Sequence, residues 1–159
     1  MAGPTLPPGL HASLVRHTGY LLSRLGLWAQ RQFSARMAEV DLSPRMWGVL
    51  NVLDAEDAVT QQELGKSIGM DPSTMVSTLD ELESRGLVER RRHPHDRRAH
   101  ALHITEEGRD TLTRGRRLAA EAQDQLLAPL DDEERELLHD LLLRLAQAAE
   151  TVPPPPSQG

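Results

Sequence analysis

The chain has 159 residues, with 18 lysines and arginines against 24 aspartates and glutamates, a formal charge of −6. Its 38 % apolar fraction, 3 % aromatic content and lack of cysteine predict an aliphatic, thin core and exclude thiolate catalysis, thiolate metal sites and thiol redox sensing. No apolar run reaches the ~18–20 residues of a membrane span, and no signal-type n-region and h-region open the chain, so a cytoplasmic protein with no membrane partner is expected.

Residues 1–9 hold Pro4, Pro7, Pro8 and two glycines and read as a flexible arm. From Leu10 to about Val40, Leu14, Leu21, Leu25 and Trp28 recur at steps of seven, four and three, the apolar stripe of one long amphipathic helix. Ser43-Pro44 supplies an N-cap and a first-turn proline. Trp47, Leu50 and Leu53 follow as the buried face of a short second helix, closed by residues 54–57. Thr60-Gln61-Gln62-Glu63 is a capping box that opens a third helix with Leu64 and Ile68, ended by Gly69. Asp71-Pro72 starts a fourth, with Met75, Leu79 and Leu82 as its inner face and Gly86 as its stop. Two short helices joined by a glycine-containing turn make a helix-turn-helix.

Residues 87–92 and 99–104 are expected to pair as a hairpin around residues 93–98, with His100, Leu102 and Ile104 on one face. Thr105, backed by Glu106 and Glu107, caps a fifth helix that runs to about Ala128, before Pro129. Residues 131–134 open a sixth, lined by Leu137, Leu138, Leu141, Leu142 and Leu145. Residues 151–159, with four consecutive prolines, read as a disordered tail. The fold class is therefore mainly α: a winged helix-turn-helix lobe over 43–104, flanked by long terminal helices over 10–40 and 105–150, in a single domain spanning 10–150.

The net charge taken alone argues against a nucleic-acid partner. Its distribution does not. Residues 104–159 carry six positive and twelve negative groups, which accounts for the whole −6. From Ser84 to Arg98 the balance reverses, with Arg85, Arg90, Arg91, Arg92, Arg97 and Arg98 against Glu89 and Asp96. The start of the fourth helix carries Ser73, Thr74, Ser77 and Thr78 on the side assigned away from Met75 and Leu79. Short hydroxyl side chains let a helix enter a major groove and reach phosphates and base edges.

In this order the residues resemble the MarR (multiple antibiotic resistance regulator) family of winged-helix transcription factors. The similarity is most specific over Leu82-Glu83-Ser84-Arg85-Gly86-Leu87-Val88-Glu89-Arg90, then Asp96-Arg97-Arg98-Ala99, Leu102 and Ile104-Thr105-Glu106-Glu107-Gly108, with Leu42-Ser43 and Trp47-Gly48-Val49-Leu50 before them. It covers residues 10–150. The resemblance implies a homodimer on a pseudo-palindromic double-stranded DNA operator, acting as a repressor released by a small aromatic or anionic effector. It places Arg97 and Arg98 where relatives insert an arginine into the minor groove, alongside Arg90 and Arg92, with Asp96 bracing the wing by pairing with Arg98 or Arg90. By position Arg16, Trp28 and Trp47 are candidates for an effector pocket. Relatives often carry a polar residue at the position of Val76 and an arginine at that of Ser77. The departure here implies sparse base reading, with DNA shape carrying more of the specificity.

The leucine stripes of the first, fifth and sixth helices, with Gly108, Gly115, Ala119 and Ala122 permitting close approach, are the expected dimer surface. His93-Pro94-His95-Asp96 departs from metallohydrolase spacing, and His11, His17 and His139 lack an i,i+4 pair, so no metal and no cofactor are expected. No nucleophile–base pairing or phosphate loop suggests an enzyme. The alternative of another class is a winged helix used as a protein-interaction module, its basic wing meeting an acidic partner.

Overall fold

In the computed structural model, residues 9–56, 59–92 and 100–151 are described. They run α1 (Ala12–Val15), α2 (Thr18–Ala38), α3 (Pro44–Ala55), α4 (Gln61–Ile68), α5 (Pro72–Ser84), β1 (Val88–Arg92), β2 (His100–Ile104), α6 (Glu106–Leu127) and α7 (Asp132–Thr151). The chain divides into two compact units between Ala122 and Gln123. The expected arm up to residue 8, the wing tip at 93–99 and the tail from 152 lie outside the described residues.

The single helix expected over residues 10–40 is interrupted. His17 takes an extended backbone (φ −98°, ψ 107°), and the open end of α1 is closed locally. Arg16 Nε donates to the Ser13 carbonyl at 3.1 Å, and the His17 N–H donates to the Leu14 carbonyl at 3.0 Å. Elsewhere the starts follow the capping chemistry. The Ser43 hydroxyl accepts from the Met46 N–H at 3.2 Å. Thr60 and Glu63 close a reciprocal box, with Thr60 N–H donating to Glu63 Oε2 at 2.9 Å and Glu63 N–H to Thr60 Oγ1 at 3.3 Å. Gly69 ends α4 in the left-handed region (φ +63°), which lets the chain turn back into α5.

The first unit holds one aliphatic core. Met37 of α2, Val49 and Leu50 of α3, Leu64 of α4, Met75 and Leu79 of α5, Leu102 of β2 and Leu112 of α6 are all essentially inaccessible to water. The strands pair antiparallel with Val88 opposite Ile104 and Arg92 opposite His100. Leu102 and Ile104 are buried as expected, but His100 is exposed at the end of the ladder, and Ala101 of opposite parity is buried. The core does not extend to the last pair, so sharing a face with Leu102 does not bury His100. An unexpected bridge adds Val59, whose carbonyl accepts from the Leu102 N–H at 2.8 Å.

The glycines of α6 correct another expectation. A Cβ at Gly108 would lie 2.2 Å from the Leu87 carbonyl oxygen and 2.8 Å from Ile104 Cγ1, and one at Gly115 would lie 3.3 Å from Trp47 Cδ1. Leu112 and Leu118 are buried, and Ala119 packs on the core. This stretch of α6 makes its close approaches within the chain and is not a free dimer surface. Trp47 in turn meets Phe33 edge-on, with ring centroids 5.1 Å apart.

In the second unit, Asp131 and Glu134 cap α7 reciprocally at 3.0 and 2.9 Å. Arg135 ties the turn by donating to the Leu130 carbonyl at 3.1 Å and pairing with Asp124 at 3.6 Å. Leu137, Leu141, Leu142, Leu143 and Leu145 remain 42–60 % exposed. No helix among the described residues is long and apolar enough to cross a membrane.

Gly108→Ala is expected to destabilise the protein by about 1–3 kcal/mol, because backbone oxygen cannot yield to the new methyl. Gly48→Ala, in α3 with nothing within 4 Å of the added carbon, should instead stabilise by about 0.5–1 kcal/mol. Urea unfolding of the two variants beside the parent tests both signs.

Candidate nucleic-acid interface

The surface is built on α5. Met75, Leu79 and Leu82 are at most 1 % exposed and fix the rotation of the helix about its axis. Ser73, Val76, Ser77 and Asp80 are thereby turned outward, with Thr74 half-buried. Thr78 corrects the sequence reading: it is only 6 % exposed. Its hydroxyl donates to the Thr74 carbonyl at 2.8 Å, because four residues beyond Thr74 it sits between Met75 and Leu79, on the inner side. The outer hydroxyls are locally engaged as well. Ser73 Oγ donates to Asp71 Oδ1 at 2.7 Å and Ser77 Oγ to the Thr74 carbonyl at 3.0 Å.

Asp71 is the N-cap of α5, accepting from the Thr74 N–H at 3.0 Å. Hydrogen bonds from the Thr74 side chain and backbone, then from Ser73, hold its carboxyl well below the usual carboxylate range. A fixed negative charge at this end of the helix suits the backbone dipole.

The arginines of the 84–98 run fall into different environments. Arg85 donates to the Asp41 carbonyl and lies 3.7 Å from Met46 Sδ, tying the end of α5 to the end of α2, where Asp41 adopts φ +54°. Arg90 Nε contacts both Glu83 carboxylate oxygens at 3.0 and 3.1 Å, and its Nη2 lies 3.5 Å from Asp80. The wing strand is thus clamped to the acidic end of α5. These groups are about a third exposed or more, so the clamp orients more than it stabilises. Arg91 pairs with Glu89 two residues back on the same strand face. Arg92 is exposed at the end of β1, and no ion pair engages it among the described residues. Asp96, Arg97 and Arg98, with His93 and His95, lie outside the described residues, and the expected Asp96 brace with them; among the described residues Arg90 pairs with Glu83 and Asp80.

Sequence reasoning missed those two partners and a second cluster. Asp54 pairs with Arg116 at 2.8 Å and Arg109 at 3.5 Å, while Arg116 Nε donates to Asn51 Oδ1 at 3.1 Å. Two α6 arginines therefore hold α3 and are not a free basic patch. The three residues expected to line an effector pocket lie on different elements. Arg16 caps α1, Trp28 is 44 % exposed on α2, and Trp47 packs against Phe33.

A helix-turn-helix followed by a two-stranded wing, with polar residues on the outer face of its second helix, defines a winged-helix DNA-binding protein. The comparisons with known proteins agree. A profile described as "MarR family" matches residues 40–99. A curated relative from Thauera aromatica, a putative transcriptional regulatory protein for the hcr operon, is 31 % identical over 137 residues, covering 86 % of this chain and 82 % of its own. The transcriptional repressor CouR bound to a 23-mer DNA duplex is 37 % identical, with TM-score 0.78 over 85 % of this chain and 96 % of that one. CouR from Rhodococcus jostii RHA1 bound to p-coumaroyl-CoA is 30 % identical, with TM-score 0.75 over 86 % and 96 %. The chain belongs to the MarR family of DNA-binding transcription regulators.

Because the folded-state pKa of Asp71 is depressed, its contribution is complete above the unfolded value of ~3.9 and is lost as pH falls below it. Asp71→Ala should lower the thermal midpoint uniformly from about pH 5 to 8. The gap to the parent should narrow as pH drops through ~3.9, in a series of melts followed by circular dichroism.

Proposed function

We propose that the chain is a ligand-responsive repressor that binds a pseudo-palindromic duplex as a homodimer in the cytoplasm. The observation that carries this is the pairing, on one surface, of the outward face of α5 with the arginine strand β1, whose neighbouring carboxylates Asp80 and Glu83 are already held by Arg90. Two of the acids on the C-terminal half of this groove-entering helix are thereby paired as it approaches phosphate, and its N-terminal residues Ser73, Thr74 and Ser77 lie at the end that reaches base edges. Arg92 then supplies a phosphate contact, and Arg97 and Arg98 the minor-groove contact.

One winged lobe spans too little duplex to discriminate among sequences, whereas two related by a dyad read successive major grooves ~34 Å apart. The exposed Leu14, Leu22, Leu25, Leu27 and Trp28 of the N-terminal helices, and the exposed leucines of α7, are the surfaces a second copy would cover. The acidic C-terminal third then carries no DNA contact. CouR bound to p-coumaroyl-CoA supports an effector that is both aromatic and anionic. The indole N–H of Trp47 is buried without a partner among the described residues and offers such a molecule a donor, with Arg16 and Trp28 as the other candidates for its pocket.

Light scattering on the full chain should give the mass of a dimer. Footprinting on the intergenic DNA beside its own gene should protect an inverted repeat. Affinity for that site should fall steeply with salt, by ~0.9 in log K per log salt for each phosphate neutralised. Arg92→Ala should reduce that slope by about one phosphate per protomer. Arg97→Ala should weaken specific binding about tenfold or more, in the range of one lost charged contact of ~1.5–3 kcal/mol, with an unchanged thermal midpoint. Equal affinity for the repeat and for scrambled DNA would defeat the repressor reading.

A further inference from the structure

Every exposed large hydrophobic side chain among the described residues lies on α1, α2 or α7, with one exception, Val76. It is 44 % exposed on α5, a helix that buries Met75, Leu79 and Leu82 almost completely. Folding does not account for it. A β-branched residue is a poor choice for an exposed helix position, since it loses side-chain freedom against the preceding turn and presents apolar surface to water. Its position is specific. Ser73, three residues earlier, and Asp80, four residues later, lie on the same outer stripe, and Ser77 adjoins it.

The groups around Val76 restrict what this face can recognise. Residues 72–84 contain no arginine, lysine, asparagine or glutamine, so α5 has no bidentate donor for guanine or adenine. The hydroxyl protons of Ser73 and Ser77 are committed to Asp71 Oδ1 and the Thr74 carbonyl, and Asp80 lies beside Arg90. Toward a groove these groups offer acceptors, while Val76 offers two methyls at the centre of the stripe. The major-groove feature that an apolar branched side chain recognises is the C5-methyl of thymine. We infer that Val76 is a specificity-determining residue that packs on the C5-methyl of one thymine in each half-site. This inference rests on the proposed binding of duplex DNA and adds a base identity to it.

Deoxyuridine removes that methyl and leaves base pairing intact. The test uses the full-length protein and a duplex that it selects from a randomised pool, with symmetric thymine pairs replaced by deoxyuridine one pair at a time. The parent protein should lose ~4-fold in affinity per methyl at one pair only, or ~15-fold for the symmetric replacement, the effect of one buried methyl-sized group in each half-site. Val76→Ala should bind the thymine duplex weaker by a similar factor and should not respond to deoxyuridine at that pair. Since Val76 is exposed, its thermal midpoint should match the parent's. If the parent selects a sequence but no deoxyuridine pair weakens it, or if Val76→Ala stays as sensitive as the parent, the thymine assignment is wrong while DNA binding stands. If the parent selects no sequence, the DNA reading and the thymine assignment both fall.

Discussion

The recognition surface depends on the burial of Met75, Leu79 and Leu82, which leaves α5 no freedom to turn about its axis. Each buried side chain of this size stabilises by roughly 1.5–3 kcal/mol relative to exposure. A rotation by one residue would bring Val76 inward and expel Met75, at a cost larger than any single contact on the outer face. The presentation of Ser73, Val76 and Ser77 to solvent is therefore set by the core. The turn at Gly69, the N-cap at Asp71 and the left-handed Gly86 fix where the helix starts and stops.

The wing is positioned from the same helix. Thr105 Oγ1 donates to the Gly86 carbonyl at 2.7 Å and accepts from the Gly108 N–H at 3.0 Å, so the end of α5 and the start of α6 are joined through one hydroxyl. Gly108 allows α6 to lie against Leu87, and the Arg90 clamp aligns β1 with Glu83 and Asp80. A chain of net charge −6 can thus carry a locally basic strand. Its surplus acid is concentrated after residue 104, and the two acids that face the arginine strand from α5 share the Arg90 guanidinium.

Much of this was legible in the sequence, and the reasons differ by feature. Capping signals place α3, α4 and α5 within a residue or two, because Ser43, Thr60 and Asp71 each satisfy a specific backbone N–H. Period-two hydrophobicity located the hairpin. It places His100 on one face with Leu102 but cannot say where the core beneath that face ends, and His100 lies beyond it. Helical periodicity puts Met75, Leu79 and Leu82 inward, yet Thr78, grouped with the outward hydroxyls, is buried between Met75 and Leu79. Its bond to the Thr74 carbonyl makes it compatible with burial. The small residues of α6 signalled close approach without naming the partner, which is Leu87 and Trp47 of the same chain. The pairing of Arg90 with acids seven and ten residues earlier depends on how the strand lies beside the helix, and no local pattern encodes that.

The central claim is that one rotationally fixed face of α5, with the arginines of β1, meets the duplex. Methyl and amide resonance shifts of the full-length protein titrated with its selected duplex test this most directly. Large shifts are expected at Ser73, Thr74, Val76, Ser77 and Arg92, with Met75, Leu79, Leu82 and the leucines of α7 little changed. Shifts centred on α7, or spread equally over both faces of α5, would contradict it.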